Sequence, residues 1–239
     1  MVGYTLALEL GNRATWKPRL MLSDRYKDAM LFAAKLHDNQ TRKDTEVAYL
    51  THLMSVSALV MENGGGEEEG IAALLHDAIE DQSDHYESEY LVHPRHGREA
   101  LKRDIELKYG PRVLAIVVGC TDDEDFVKPP EGERGSVEDW IARKEAYIVH
   151  IGDTSDEGLL RVSSADKLHN ARTILVDLHE SADDVWSRFR AGSKARVLWY
   201  YRSLAQQFEA KAELFRDPGL KRLSVELVRT VKLLEAHPS

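Results

Sequence analysis

The sequence lacks several features that particular classes of protein require. Its 239 residues include one cysteine, Cys120, which excludes an internal disulfide bond and a zinc site built from cysteines. No run of residues approaches the roughly 18–20 apolar positions of a membrane-spanning helix. The first ten residues are too acidic, and their apolar run is too short, for a secretory signal peptide. We therefore expect a cytoplasmic protein that does not contact a membrane.

Positive charge is also scarce. Lysine and arginine together number 32 against 41 aspartate and glutamate residues, which gives a formal net charge of −9. Because nucleic-acid backbones bind basic surfaces, we do not expect a nucleic acid as a partner. A small anionic substrate remains compatible with this charge if a metal ion or a few placed arginine and lysine residues make the site locally positive. The sequence does not indicate an oligomeric state.

An alternating strand pattern is absent, and helical periodicity dominates the sequence. The apolar content of 43% is near the globular norm, so a sizeable core is available. Two predicted helices begin near Ser23 and Thr51, and a third covers 67–81. Further helices are predicted at about 98–109, from Pro111 onward, and at about 136–151, 156–179, 182–209 and 218–236. Polar or proline-containing loops are predicted over 82–97 and 122–136.

These elements predict an all-α protein, a helical bundle with no internal repeat and no low-complexity linker. We divide the chain into an N-terminal extension over 1–22, the main helical domain over 23–209, and a C-terminal helical appendage of the same domain over 210–239.

The segment 72–81 (AALLHDAIED) carries four titratable residues in an otherwise apolar stretch. In an unbroken helix, residues four apart share a face, so His76 lies above Glu80 and Asp77 lies above Asp81. Burying such groups is costly unless they pair with one another or with a metal. An imidazole beside carboxylates offers mixed nitrogen and oxygen ligands that suit a divalent transition ion. The alternative is a helix with surface acids and a histidine satisfied within the core.

A second polar stripe is formed by Asp166, Asn170 and Thr173, which are spaced i, i+4 and i+7 on a predicted helix. A carboxylate, an amide and a hydroxyl on one stripe can ligate a metal and orient a ligand, although a solvated face is equally consistent with the pattern. His52 is either a packing residue or a ligand. The adjacent Arg42 and Lys43 are either solvated charges at a helix end or contacts to an anion.

Four segments together resemble the HD superfamily of metal-dependent phosphohydrolases. The similarity is greatest to the hydrolase domain of the RelA/SpoT alarmone enzymes and to the free-standing small alarmone hydrolases. The segments are AAKLHDNQTRK at 33–43, YLTH at 49–52, AALLHDAIED at 72–81 and ADKLHNART at 165–173. Each motif is weak alone, but the four in this order are specific. The resemblance covers about residues 24–205, and it implies the HD-domain helical bundle.

The resemblance also implies the roles of particular residues. One divalent ion, usually manganese in this family, is held by the residues that match the family's ligands: His52, His76, Asp77 and Asp166. Glu80 and Asp81 match residues that act on the attacking water and on proton transfer. Residues that match the family's nucleotide contacts are Arg42, Lys43, Asn170 and Thr173. The implied reaction removes the 3′-pyrophosphate of guanosine tetra- or pentaphosphate.

Arg143 and Lys144 match a basic pair that is common in these hydrolases and that faces the phosphates, with a solvated helix face as the alternative. The chain departs from the family pattern at Gln82, where the family often has threonine, and at Ala48, where it commonly has proline. The excursion over 83–97 is also longer than the usual link. Its three histidines indicate either a second metal or a surface loop, and they are His85, His93 and His96.

These departures leave the substrate open. One alternative is another HD nucleotide phosphohydrolase, such as a nucleotidase or an NADPH phosphatase. The other is a regulatory module that binds a nucleotide without catalysis. Loss of a metal ligand or of Glu80 would mark such a module, and neither loss is observed.

Overall fold

The computed structural model describes residues 22–43, 45–84, 86–87, 97–121, 136–180, 185–188 and 193–237. Most of these residues lie in helices, and the described part of the chain includes an isolated β-bridge between Thr41 and Ala48 but no strand. The expected all-α fold class is therefore confirmed. The helices are α1 (Asp24–Leu36), α2 (Leu50–Glu62), α3 (Glu67–Leu75), α4 (Ala78–Gln82), α5 (Arg98–Cys120), α6 (Val137–Asp153), α7 (Glu157–Glu180), α8 (Lys194–Phe215) and α9 (Pro218–Ala236).

Helix α7 is the central element of the bundle. It packs against α2, α3, α5, α8 and α9. Its inward side chains are almost entirely buried, and they are Leu160, Val162, Ala165, Leu168 and Ala171. Burial of such apolar side chains is the main favourable contribution to folding. Because Asp166 lies within this stretch of α7, its carboxylate is carried into the middle of the molecule.

Local sequence signals explain where several helices begin or bend. The Ser23 hydroxyl accepts a hydrogen bond from the Arg25 N–H at the start of α1, and the Asp217 carboxylate caps α9 directly before Pro218. Gly110 has a φ of 87°, which favours glycine, and Pro111 follows it. Helix α5 is therefore kinked at this position, as the predicted boundary between two helices indicated.

The predicted helix over 67–81 is wrong in one respect, because it is interrupted at His76 and Asp77. Helix α3 ends at Leu75, and α4 begins at Ala78. Asp77 has a ψ of −2°, far from the helical value of about −42°, and this opens the hydrogen-bond ladder. The Asp77 carbonyl then accepts from the Asp81 N–H at 2.8 Å and starts the next turn.

The predicted helix over about 182–209 is also shifted. A 3-10 turn spans Val185–Arg188, and α8 begins only at Lys194 and continues to Phe215. The Ser193 hydroxyl accepts a hydrogen bond from the Arg196 N–H at 3.3 Å, which explains the start of α8. The predicted helix over 218–236 is confirmed.

Several predictions concern residues outside those that the structure describes. The N-terminal extension is described only at Leu22, and the loop over 122–136 only at Ser136. The three histidines of the 83–97 excursion all lie outside the described ranges. The division of the chain at 22/23 and 209/210 stays a prediction. Among the described residues, no helix is long and apolar enough to cross a membrane.

A buried ion-pair network connects α3, α7 and the start of α9. The Arg161 guanidinium contacts Glu69 at 2.5 Å and also binds the Asp217 carboxylate, and Arg161 is only 7% exposed. Replacing Arg161 with alanine leaves two largely buried carboxylates without their cation. We expect the free energy of unfolding to fall by about 3–5 kcal/mol.

Urea denaturation followed by circular dichroism measures this change. The matched control is Arg202→Ala, because Arg202 pairs with Glu235 on the exposed surface and should contribute less than about 1 kcal/mol. Equal losses in the two variants would contradict the assigned role of the network.

Candidate metal centre and adjoining cavity

Four side chains from four positions in the fold meet at one point. His52 lies on α2, His76 follows α3, Asp77 precedes α4, and Asp166 lies on α7. The His52 Nε2 atom is 3.1 Å from Asp166 Oδ1 and 3.6 Å from Asp77 Oδ2. The His76 Nε2 atom is 3.0 Å from Asp77 Oδ2 and 3.5 Å from Asp166 Oδ1. The structure thus brings together the four residues that the resemblance named as ligands.

The chemistry of this cluster fits a divalent cation. The Nε2 atoms of His52 and His76 are buried and face carboxylate oxygens, yet neither forms a hydrogen bond of acceptable geometry. Buried polar atoms are nearly always satisfied, so such a pair of atoms requires a reason. His52, His76 and Asp166 each offer a ligand atom within 4.8 Å of the others. Two imidazole nitrogens beside carboxylate oxygens form a donor set for a divalent metal ion.

The pKa shifts of His76 and Asp166 arise from burial and from the neighbouring charges of the cluster. Burial by itself lowers the pKa of His76, but the adjacent Asp77 and Asp166 outweigh burial and raise it well above its usual value. Burial opposes ionisation of Asp166, while Lys167 and the two histidines hold its pKa well below the usual range. The carboxylates therefore stay charged, and the centre favours a cation among them.

Neighbouring side chains orient the members of the cluster. His76 Nδ1 is 2.8 Å from the Ala73 carbonyl, which can only accept, so Nδ1 carries a hydrogen and Nε2 is the ring atom that faces the carboxylates and would bind a metal ion. The Tyr49 hydroxyl donates to Asp77 Oδ2 at 2.5 Å. Lys167 Nζ donates to Asp166 Oδ2 at 2.7 Å. Hydrogen bonds of this kind, between a metal ligand and its neighbours, hold the ligand in place.

His52 has an unusual neighbour. Its Nδ1 atom lies 2.8 Å from Nδ1 of His169, which is three residues after Asp166 on α7. Burial, followed by the nearby His52 and Arg42, lowers the pKa of His169 to about 4, so His169 is neutral near pH 7. A neutral His169 can accept a hydrogen bond from His52 Nδ1–H, which leaves the His52 Nε2 lone pair for the cluster.

Glu80 and Asp81 lie on α4, directly after the cluster, and both are half-buried. The Gln40 side chain donates to Asp81 Oδ2 at 2.8 Å and fixes this carboxylate from the loop after α1. The sequence predicts that Glu80 stacks on His76 and Asp81 on Asp77 in one continuous helix. Because the helix is interrupted at His76 and Asp77, this stacking does not explain the positions of Glu80 and Asp81. They follow from the start of α4 at Ala78.

A cavity of ≈ 360 Å³ adjoins the cluster. Its cationic and aromatic lining comprises Arg42, Lys43, Lys144, Lys167, Tyr49, Trp140, Tyr200 and Tyr201. Tyr49 and Lys167 line the cavity and also contact the clustered carboxylates, so the cavity lies next to the candidate metal centre. A pocket that combines positive charge with aromatic rings suits a ligand with phosphate groups and a planar base.

Most of the residues expected at the nucleotide line this cavity, namely Arg42, Lys43, Lys144, Asn170 and Thr173. Arg42 Nη2 donates to Asn170 Oδ1 at 2.7 Å, and its guanidinium carbon lies 5.5 Å from the centre of the Tyr49 ring. Asn170 Nδ2 in turn donates to Asp166 Oδ1 at 2.5 Å. Arg143 is not among the residues that line the cavity.

The fold and the site together define a protein of the HD-domain class. Residues 29–194 match the family model described as HD domain, and the chain belongs to this family. It is 31% identical to the guanosine-3′,5′-bis(diphosphate) 3′-pyrophosphohydrolase MESH1 of Xenopus tropicalis, over 81% of this chain and 94% of that protein. It is 32% identical to the MESH1 of Danio rerio with the same description, over 80% of this chain and 92% of that protein.

A solved structure supports the fold. It is described as a metazoan ortholog of SpoT that hydrolyzes ppGpp, and it matches with a TM-score of 0.62 at 23% identity. The match covers 89% of this chain and 98% of that chain. The family model and the MESH1 relatives confirm the expected resemblance to HD hydrolases of the RelA/SpoT type. The solved structure confirms the HD-domain helical bundle.

Sequence reasoning missed the residues that support the cluster. Tyr49 belongs to the YLTH motif and lies directly before α2, three residues before His52, so it can face the same side as His52. Lys167 is adjacent to Asp166, and His169 follows Asp166 by three residues on α7. Helical spacing could have placed His169 on the same side of α7 as Asp166. No local signal could have shown that Tyr49 reaches Asp77 across 28 residues.

Proposed function

We propose that this protein is a metal-dependent phosphohydrolase that removes the 3′-pyrophosphate from guanosine 3′,5′-bis(diphosphate). Water and the bis(diphosphate) give GDP and pyrophosphate. One observation carries the proposal: the cluster of His52, His76, Asp77 and Asp166 lies next to a cationic and aromatic cavity, and Tyr49 and Lys167 contact both. The names of the relatives, which the chain matches over more than nine-tenths of their length, support the same reaction.

We propose His52, His76, Asp77 and Asp166 as the ligands of one divalent ion, which we take to be Mn²⁺. When bound, such an ion acidifies coordinated water and neutralises phosphoryl charge. Mixed imidazole and carboxylate donors suit a metal of this kind. Tyr49, Lys167 and His169 keep these ligands in position, since each contacts one of them directly.

Proton transfer falls to the two carboxylates of α4. Glu80 accepts a proton from the water that attacks the 3′-linked phosphorus, and the bond between that phosphorus and the ribose O3′ breaks. Asp81, held by Gln40, takes part in returning a proton to O3′. The fold keeps both carboxylates close to the cluster because α4 starts immediately after Asp77.

The cavity residues bind the nucleotide. Arg42, Lys43, Lys144 and Lys167 make the cavity locally positive in a protein whose net charge is −9. Asn170 and Thr173 face the ligand next to the cluster. Of the basic pair on α6, we propose Lys144 as the contact, since Arg143 does not line the cavity. We further propose a cytoplasmic location, where such a nucleotide is available, and no nucleic-acid partner, since the overall charge is acidic.

The test of this function is a panel of nucleotides incubated with manganese-loaded protein, with the products resolved by anion-exchange chromatography. The panel includes guanosine 3′,5′-bis(diphosphate), nucleoside monophosphates and NADPH. Release of pyrophosphate and GDP from the first compound is the expected result. Preferential release of phosphate from a monophosphate or from NADPH would assign the site to another reaction, and tight binding without turnover would indicate a regulatory module.

Arg42→Lys is expected to raise KM by about 10-fold with a smaller effect on kcat. The planar guanidinium is held by Asn170 above the Tyr49 ring, and an ammonium group cannot keep this geometry or stack on a purine. A contact that is alike in the ground state and in the transition state affects KM rather than kcat. Steady-state kinetics measures both constants, with the exposed Arg196→Lys as the control. Wild-type kinetics for Arg42→Lys would remove Arg42 from the binding site.

A further inference from the structure

Asp177 is a carboxylate inside a cavity that is otherwise suited to an anion. Among the described residues that line this cavity, Asp177 is the only acidic one, beside three lysines and an arginine. A carboxylate repels phosphate groups, so its presence is unfavourable to a polyanion unless it faces another part of the ligand. Asp177 is half-buried and lies in the cavity wall.

The position of Asp177 along α7 indicates which part of the ligand it faces. Asp166, Asn170, Thr173 and Asp177 are spaced by four, three and four residues, so they lie on one face of the helix. At 1.5 Å of rise per residue, Asp177 lies about 16 Å along the axis from Asp166. Asp166 marks the metal end of this stripe, and Asp177 marks the far end.

The two ends differ in chemistry. The phosphate groups belong near Asp166, where Lys167 and the candidate metal ligands are. Two apolar side chains line the cavity near Asp177. Ile174 precedes Asp177 by three residues, and Val185 belongs to the 3-10 turn that packs on α7. Apolar walls suit the faces of a planar base, while a carboxylate can only accept hydrogen bonds from its edge.

We propose that Asp177 reads the base of the substrate and selects guanine. The N1–H and the N2 amino group of guanine are two adjacent donors, and they match the two oxygens of one carboxylate. Adenine presents an acceptor, N1, in place of the first donor, so a carboxylate at this position disfavours it. The inference rests on the proposed function and adds the residue that determines its base specificity.

The experiment compares guanosine, inosine and adenosine 3′,5′-bis(diphosphates) as substrates of the manganese-loaded full chain. The wild type is expected to prefer guanosine, with inosine intermediate because it lacks the N2 amino group. Asp177→Asn should reduce the preference in kcat/KM for guanosine over adenosine by about 10-fold to 100-fold, the usual size of one bidentate base contact. The amide keeps the shape of the side chain but offers one donor and one acceptor, which matches adenine. Asp177→Ser tests the loss of the carboxylate independently.

The control is Asp153→Asn, which removes one negative charge at the exposed end of α6 and should leave the base preference unchanged. An equal change for all three substrates in Asp177→Asn would show that the carboxylate acts through charge or folding, and this would overturn the proposal. Failure of the wild type to cleave any of the three would reject the proposed function instead. Calorimetric binding of GDP, IDP and ADP to the same variants then decides Asp177: a guanine preference that is lost in Asp177→Asn supports the proposal, and an unchanged or absent preference overturns it.

Discussion

Glu80→Gln is expected to lower kcat by about 100-fold or more, the usual effect of removing a general base, while bound metal and nucleotide affinity stay close to wild type. Glutamine has the size of glutamate and keeps a hydrogen-bonding oxygen, but it cannot accept the proton of the attacking water at neutral pH. Glu80 is not one of the clustered residues that we propose as ligands, so the metal site should survive the substitution.

Three measurements separate binding from chemistry in this variant. Single-turnover kinetics gives the rate of the chemical step, mass spectrometry of the protein solution gives the metal content, and calorimetry with guanosine 3′,5′-bis(diphosphate) gives the affinity. Glu209→Gln, on the exposed side of α8, is the matched control and should behave as the wild type. Unchanged turnover in Glu80→Gln would transfer the role of the base to Asp81, and Asp81→Asn would be the next variant.

His76→Ala and Asp166→Ala should each lose the bound divalent ion together with activity. Replacing even a supporting residue of a metal site costs about 10-fold to 100-fold in metal affinity, so removing a direct ligand should cost at least as much. Both side chains are almost completely buried and are held in place by neighbours, His76 by the Ala73 carbonyl and Asp166 by Lys167 and Asn170.

The metal content per chain after dialysis is the primary readout, because it does not depend on the identity of the substrate. His179→Ala, which removes an exposed histidine near the end of α7, is the control and should retain the ion. Circular dichroism verifies that each variant is folded, and Asp166→Asn offers a milder change of the same ligand. Full metal content in both alanine variants would contradict a shared site.

The sequence determines much of the local structure. Ser23 at the start of α1, Gly110 and Pro111 in α5, and Pro218 at the start of α9 act through backbone geometry and capping, which depend on a few neighbouring residues. The ligand motifs were recognised because four short segments occur in a fixed order. The all-α class followed from helical periodicity, since apolar positions recur at the spacing of a helix throughout the chain.

Other features depend on contacts between distant segments, and periodicity does not report them. The helix is interrupted at His76 and Asp77, between α3 and α4. The sequence does not reveal this break, because the apolar pattern is the same on either side of it and indicates one continuous helix. The hydrogen bond from Tyr49 to Asp77 and the network of Arg161 with Glu69 and Asp217 join residues far apart in the chain.

The sequence by itself therefore determined the fold class, most helix ends and the chemistry that the family motifs predict, because capping, backbone geometry and spacing act within a few residues. Only the tertiary structure decided how those motifs combine. Packing of α7 against five other helices helps to bring the His52 and His76 imidazoles within 3.6 Å of the Asp77 and Asp166 carboxylates. The same packing encloses a cavity that runs toward Asp177, because side chains from separate elements become neighbours only when the helices bury their apolar faces against one another.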